Sequence, residues 1–119
     1  MELRILTIGD KGNLTNERIG FKALKNCQLK FFMIFKTVIS SVGFNNVSDS
    51  AFWFSPQEIL ENDQVVLYTR KGVNSVKDNP DGTKTYFFFW SRLSPVFNSP
   101  EDITNKVVLV NINTWSLNK

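Results

Sequence analysis

Apolar and polar positions alternate with a period of two through most of the chain, and the alternating runs end in clusters of Gly, Asn, Asp and Pro. Glu2–Ile8 predicts a first strand, closed by the loop-forming Gly9-Asp10-Lys11-Gly12-Asn13. Arg18–Leu24 predicts a half-buried strand, with Ile19, Phe21 and Ala23 on one side and Arg18 and Lys22 on the other. Asn26-Cys27-Gln28 turns the chain into a longer strand over Leu29–Ser40, where the run Phe31–Phe35 leaves neither face polar. Gly43–Ser50 reads as a polar loop and Ala51–Phe54 as a short strand. In Ser55-Pro56-Gln57-Glu58, Ser stands as an N-cap, Pro takes the first helical position and Glu follows, which predicts one helical turn stopped by Asn62-Asp63. Gln64–Thr69 is a further strand. Val73–Asp78 and Thr83–Trp90 predict a hairpin about Asn79-Pro80-Asp81-Gly82, where Pro80 presets one turn position and Gly82 supplies a positive φ. Pro95 and Pro100 mark a loop before the last strand, Lys106–Ile112.

Seven to eight short strands, with no internal repeat and no linker, make one all-β domain over residues 1–119, either a sandwich or a barrel. Composition agrees. A chain of 119 residues, 42% of them apolar and with eleven Phe and three Trp, can bury enough surface to offset its ordering entropy without staples. The lone cysteine, Cys27, has no partner for an internal disulfide and reads as a small buried or strand-edge side chain. The first residues lack the basic start and long apolar stretch of an export signal, and the longest apolar run, Phe31–Phe35, is far too short to span a membrane. The chain as given is expected to be intracellular, cytoplasmic by default, or released from a longer precursor.

Charge and chemistry narrow the picture mainly by exclusion. There is no histidine, which removes Ser-His-Asp and Cys-His catalysis, His-ligated zinc and imidazole as a general base. The Gly9–Gly12 loop lacks the spacing of a phosphate-binding loop, there is no Gly-x-Ser-x-Gly elbow, and Asp78 and Asp81 miss the alternation of a calcium loop. Glu58 and Glu61, near each other on the predicted turn, read as capping and solvated carboxylates. No enzyme, cofactor or metal is expected. The net charge of +3 is mild, but Arg18, Lys22, Lys25, Lys30 and Lys36 face only Glu17 over their stretch. This reads as a solvated strand surface, with a weak polyanion-binding face as the alternative.

Several blocks resemble the lamin-tail family. Ala51-Phe52-Trp53-Phe54-Ser55-Pro56, Ile59-Leu60 and Gln64–Gly72 follow its order of aromatic strand, Leu-bearing turn and apolar strand ending near a Gly. Phe88-Phe89-Trp90, Ser94–Asn98 and Glu101-Asp102 are similar to its tryptophan, apolar-aromatic-Asn and Asp passage. Asn16-Glu17-Arg18-Ile19-Gly20-Phe21 resembles its Asn-Glu-x-Val-x-Leu strand, and Cys27-Gln28-Leu29 its Asp-Leu turn, while Asn62-Asp63 stands where the family usually has Pro-Gly. The resemblance implies an immunoglobulin-like β-sandwich that is non-catalytic and serves as an adaptor for proteins, DNA or membrane-associated partners.

Two surfaces follow as candidates. Phe31–Phe35 and Tyr86–Trp90 offer apolar groups to both faces of their strands, so Phe32, Ile34, Phe88 and Trp90 are expected outside the core, as the contact for a protein partner or a second copy. The covering of that patch by the loops Gly43–Ser50 or Asn98–Ile103 is the competing expectation. Arg70 and Lys71 at a strand end, with Arg92 beside Trp90, form a basic rim next to aromatics, the chemistry of a weak single-stranded nucleic-acid contact.

Overall fold

The computed structural model describes residues 1–40, 43–44 and 50–118. Among them it has eleven strands: β1 (Leu3–Gly9), β2 (Arg18–Ala23), β3 (Cys27–Gln28), β4 (Phe32–Ser40), β5 (Gly43–Phe44), β6 (Ser50–Trp53), β7 (Glu58–Ile59), β8 (Gln64–Tyr68), β9 (Ser75–Asp78), β10 (Lys84–Phe89) and β11 (Asn105–Asn111). A 3-10 turn, Leu29–Phe31, is the one helical element among the described residues. The protein is all-β, and no helix of the described residues is long and apolar enough to cross a membrane.

The strands form a five-stranded sheet in the order β1-β2-β8-β10-β9, a four-stranded sheet in which β4 pairs with β11, β5 and β6, and the small β3-β7 pair. The predicted hairpin is present: Lys84 pairs with Asp78 and Phe87 with Ser75, and Gly82 at φ 88° closes the turn by donating its N–H to the Asn79 carbonyl. β8 and β10 run parallel, with Val66 beside Phe87 and Tyr68 beside Phe89. A parallel pair cannot be joined by a tight turn, so the chain after β8 must cross to the sheet edge, form β9 and return between the two. That crossing carries Gly72 against the Phe89 ring; a Cβ there would sit 2.5 Å from the ring, which only glycine avoids.

The two larger sheets enclose one core. Ile19, Phe21, Val65, Leu67 and Phe88 reach it from the five-stranded sheet, and Phe32 and Ile34 from the four-stranded one. Phe54 is the hinge of the packing. Its ring meets Phe21, Phe52 and Phe88 edge-on at 5.6, 5.1 and 5.4 Å. Such edge-to-face pairs add about 0.5–1.5 kcal/mol each beyond their buried area.

Four expectations are corrected. Phe32, Ile34, Phe88 and Trp90 are not outside the core: they are 1%, 0%, 5% and 8% exposed and pack within it. In both runs the even-numbered side chains point inward, and the odd-numbered Met33, Phe35, Phe87 and Phe89 take the other face, only half-buried. Leu29–Phe31 belongs to the 3-10 turn, which drops buried Leu29 into the core before β4 begins. The helical turn at Ser55–Glu58 does not form. Glu58-Ile59 pairs instead with Cys27-Gln28, the Leu29 N–H donates to the Gln57 carbonyl, and Ile59 is fully buried, so extended pairing satisfies the backbone and fills the core where one helical turn would do neither. Of the predicted loop Gly43–Ser50, Gly43-Phe44 pairs with β4 and Ser50 begins β6; residues 45–49 lie outside the described residues.

Three carboxylates, two of them buried, tie the loops to this frame. Glu17 is fully buried and accepts the N–H groups of Val96 (2.6 Å), Gly12 (2.8 Å) and Phe97 (3.2 Å), pinning the loop after β1 and the loop after β10 to the start of β2. Asp63 likewise accepts the Leu60 and Lys84 N–H groups. Asp102 gathers the N–H groups of Asn98, Thr104 and Asn105 and the Asn105 amide, bonds that hold its carboxyl far below the usual carboxylate range.

Candidate interaction surfaces

With the core accounted for, the outward side of the five-stranded sheet can be read from the register, because paired residues share a face. Three rows cross it. The central row is Thr7, Gly20, Val66, Phe87 and Ser75. On one side runs Arg4, Lys22, Gln64, Thr85 and Lys77; on the other, Gly9, Arg18, Tyr68 and Phe89. A bulge at Leu6 lets Arg4 and Thr7 both point outward although they are three positions apart, an odd offset that would otherwise place them on opposite faces.

The result is a low apolar strip between cations. Gly20 has no side chain and Val66 a short one, so Phe87 lies beside a shallow floor. Arg4 and Lys22 stand directly opposite each other, an arrangement of like charges that costs stability and that no carboxylate on the strands of this face relieves. Among the described residues, the acid paired with the face is Asp10, from a loop, 2.6 Å from Arg18. Tyr68 and Phe89 stack at 5.5 Å and 11°, with Phe87 a further 6.5 Å from Tyr68.

Arg70, from the crossing segment, lays its guanidinium over both stacked rings, 4.9 Å from Tyr68 and 5.1 Å from Phe89. Its Nε donates to the Thr15 carbonyl at 2.9 Å, which fixes the plane in place. Lys71 follows, exposed. Arg92 is elsewhere: its guanidinium lies over the Trp90 ring at 5.5 Å and donates to the Ser94 carbonyl. Of the predicted rim, then, Arg70 and Lys71 lie by the strip, and Arg92 caps the core at the end of the sheet. Of the predicted basic stretch, only Lys22 borders the strip; Arg18 shares the sheet face but lays its guanidinium over Gly9, where it meets Asp10 and the Asn16 carbonyl. Lys25 lies in the turn after β2, Lys30 sits over Phe31 at 5.3 Å, and Lys36 is on β4.

Sequence reasoning missed Arg4, Lys77, Val66 and Phe87. Arg4 and Lys22 come from strands paired antiparallel, and Lys77 arrives only through the β9–β10 pairing, so no local window contains the row.

A second surface lies on the four-stranded sheet. Met33, Phe35, Trp53, Val108 and Val110 share its outward side by register. Trp115 of the C-terminal segment packs edge-on against Trp53 at 5.1 Å and against Phe31 at 5.8 Å, and the Trp53 indole N–H donates to the Lys30 carbonyl.

A hollow of about 360 Å³ beside β3 is lined by Glu2, Asn26, Cys27, Gln28, Phe31, Phe32, Asn111 and Asn113. Burial, with the Glu2 carboxylate adding to it, pushes the Cys27 thiol up to about 11, so at neutral pH it is a protonated, weakly reactive group. Glu58 and Glu61 are both exposed, Glu58 accepting from the Gln28 amide. Among the described residues no cluster of three or more Cys, Asp or Glu is placed to hold a metal ion. Compared with known proteins, the chain matches no family model, no curated protein and no solved structure.

Proposed function

We propose that the chain is a non-catalytic binding module, a lamin-tail-like sandwich of immunoglobulin type, which meets its partner through the outward face of the five-stranded sheet. The observation that carries this reading is the apolar strip of Val66 and Phe87 with the cation row Arg4, Lys22 and Lys77 on one side and Arg70 over Tyr68 and Phe89 on the other, and no strand carboxylate among them. Uncompensated like charge on a sheet face is a cost to folding, and a ligand that neutralises it is the simplest return for that cost. With Phe32, Ile34, Phe88 and Trp90 in the core, a protein or homo-oligomer contact through those four side chains is withdrawn.

The test is retention of a partner from the host cell. Wild-type chain is expected to co-purify with a ligand that a folded Lys22→Glu, Lys77→Glu variant loses. A ligand kept by that variant and released by Trp53→Ser would move the contact to the four-stranded sheet and contradict the proposal.

A further inference from the structure

We infer that the ligand of this face is a single-stranded nucleic acid, an inference that rests on the face being the contact surface. One row of cations, Arg4, Lys22 and Lys77, flanks the strip on one side, and Arg70, lying over Tyr68 and Phe89, flanks it on the other. Between them stand Val66 and Phe87, half-buried and open on the outward side. A flexible strand can lay its phosphates along Arg4, Lys22 and Lys77 and turn unstacked bases onto the Phe87 ring, the pairing of cation track and aromatic platform that single strands favour.

Arg70 extends the platform. Its guanidinium lies over Tyr68 and Phe89, and a guanidinium plane can accept a base by stacking while its charge meets a phosphate. A duplex has no unstacked base to give Phe87 and would use the cations alone. An acidic peptide would meet the cations but has no flat rings for the strip. The combination of both features on one face therefore favours the single strand over either.

The probe is a fluorescently labelled oligothymidine or oligouridine of about ten nucleotides, within the usual range of such sites, titrated with the full chain at several salt concentrations. Affinity is expected to fall with salt with a log–log slope of about −2 to −3, as three or four phosphates are neutralised. Lys77→Gln, an exposed change that leaves the fold alone, should flatten the slope by about 0.7. Phe87→Ala should weaken binding roughly ten-fold and leave the slope unchanged. A duplex that binds as tightly, polyglutamate that competes as well as oligothymidine, or no oligonucleotide binding at low salt would each overturn the choice of ligand while leaving the contact face standing. Oligonucleotide binding untouched by Lys77→Gln and Phe87→Ala, but lost on Lys106→Gln, would overturn the face together with the ligand.

Discussion

Glu17→Gln should cost the protein about 2–4 kcal/mol, because one buried backbone donor is left facing an amide N–H and the other bonds lose their charge assistance. The geometry leaves the amide no good orientation. Its NH2 must replace either Oε1, which accepts from Val96, or Oε2, which accepts from both Gly12 and Phe97. Glu17→Ala strips all three donors of their acceptor at once and should cost about 3–5 kcal/mol, since each buried N–H left without a partner costs about 1–3 kcal/mol. Against a typical domain stability of about 5–15 kcal/mol, that change brings the chain near the edge of folding. The urea midpoint should fall in the order wild type, Gln, Ala with the slope of the transition unchanged. Equal midpoints would mean that Glu17 does not hold the two loops.

The second large effect separates adjacent phenylalanines. Phe88 is 5% exposed and meets Phe54 edge-on at 5.4 Å, so Phe88→Ala should cost about 3–5 kcal/mol through the cavity it leaves. Phe87 stands on the other face, half-buried, and its truncation should cost about 1 kcal/mol, the ordinary size of a point change that opens no core cavity. Thermal or denaturant unfolding of the two variants checks the phase of β10. If Phe87→Ala proved the more damaging, every outward assignment on this strand would reverse, since a shift of one residue exchanges the faces.

That phase is what the sequence hides. Where polar residues alternate with apolar ones, as in Arg18–Ala23, the buried set Ile19, Phe21 and Ala23 is legible and correct. In Phe31–Phe35 and Tyr86–Phe89 there is no internal polar marker, and the flanking lysines mislead. Lys30 and Lys36 share parity with Phe32 and Ile34, and Lys84 with Phe88 and Trp90, which suggests that the even positions face water. In the fold Lys30 belongs to the 3-10 turn and Lys84 opens β10, so neither reports the orientation of the strand between. The hairpin at Asn79–Gly82 was readable because its turn chemistry is local. The pairing of Glu58-Ile59 with Cys27-Gln28 was not, because its partner lies far away in sequence and a proline preceded by serine carries the signature of a helix start. The site shares this limit. Arg70 and Lys71 could be picked out as a basic pair beside aromatics, but the row of Arg4, Lys22 and Lys77 exists only once β1, β2, β8, β10 and β9 are laid side by side.

The central claim is that the outward face of the five-stranded sheet is where this protein touches its ligand, and amide correlation spectra recorded as oligothymidine is added test it most directly. The shifts should gather on Lys22, Val66, Phe87, Lys77 and the Arg70–Gly72 crossing. Shifts confined to Met33, Trp53, Val108 and Trp115, on the opposite sheet, would contradict it.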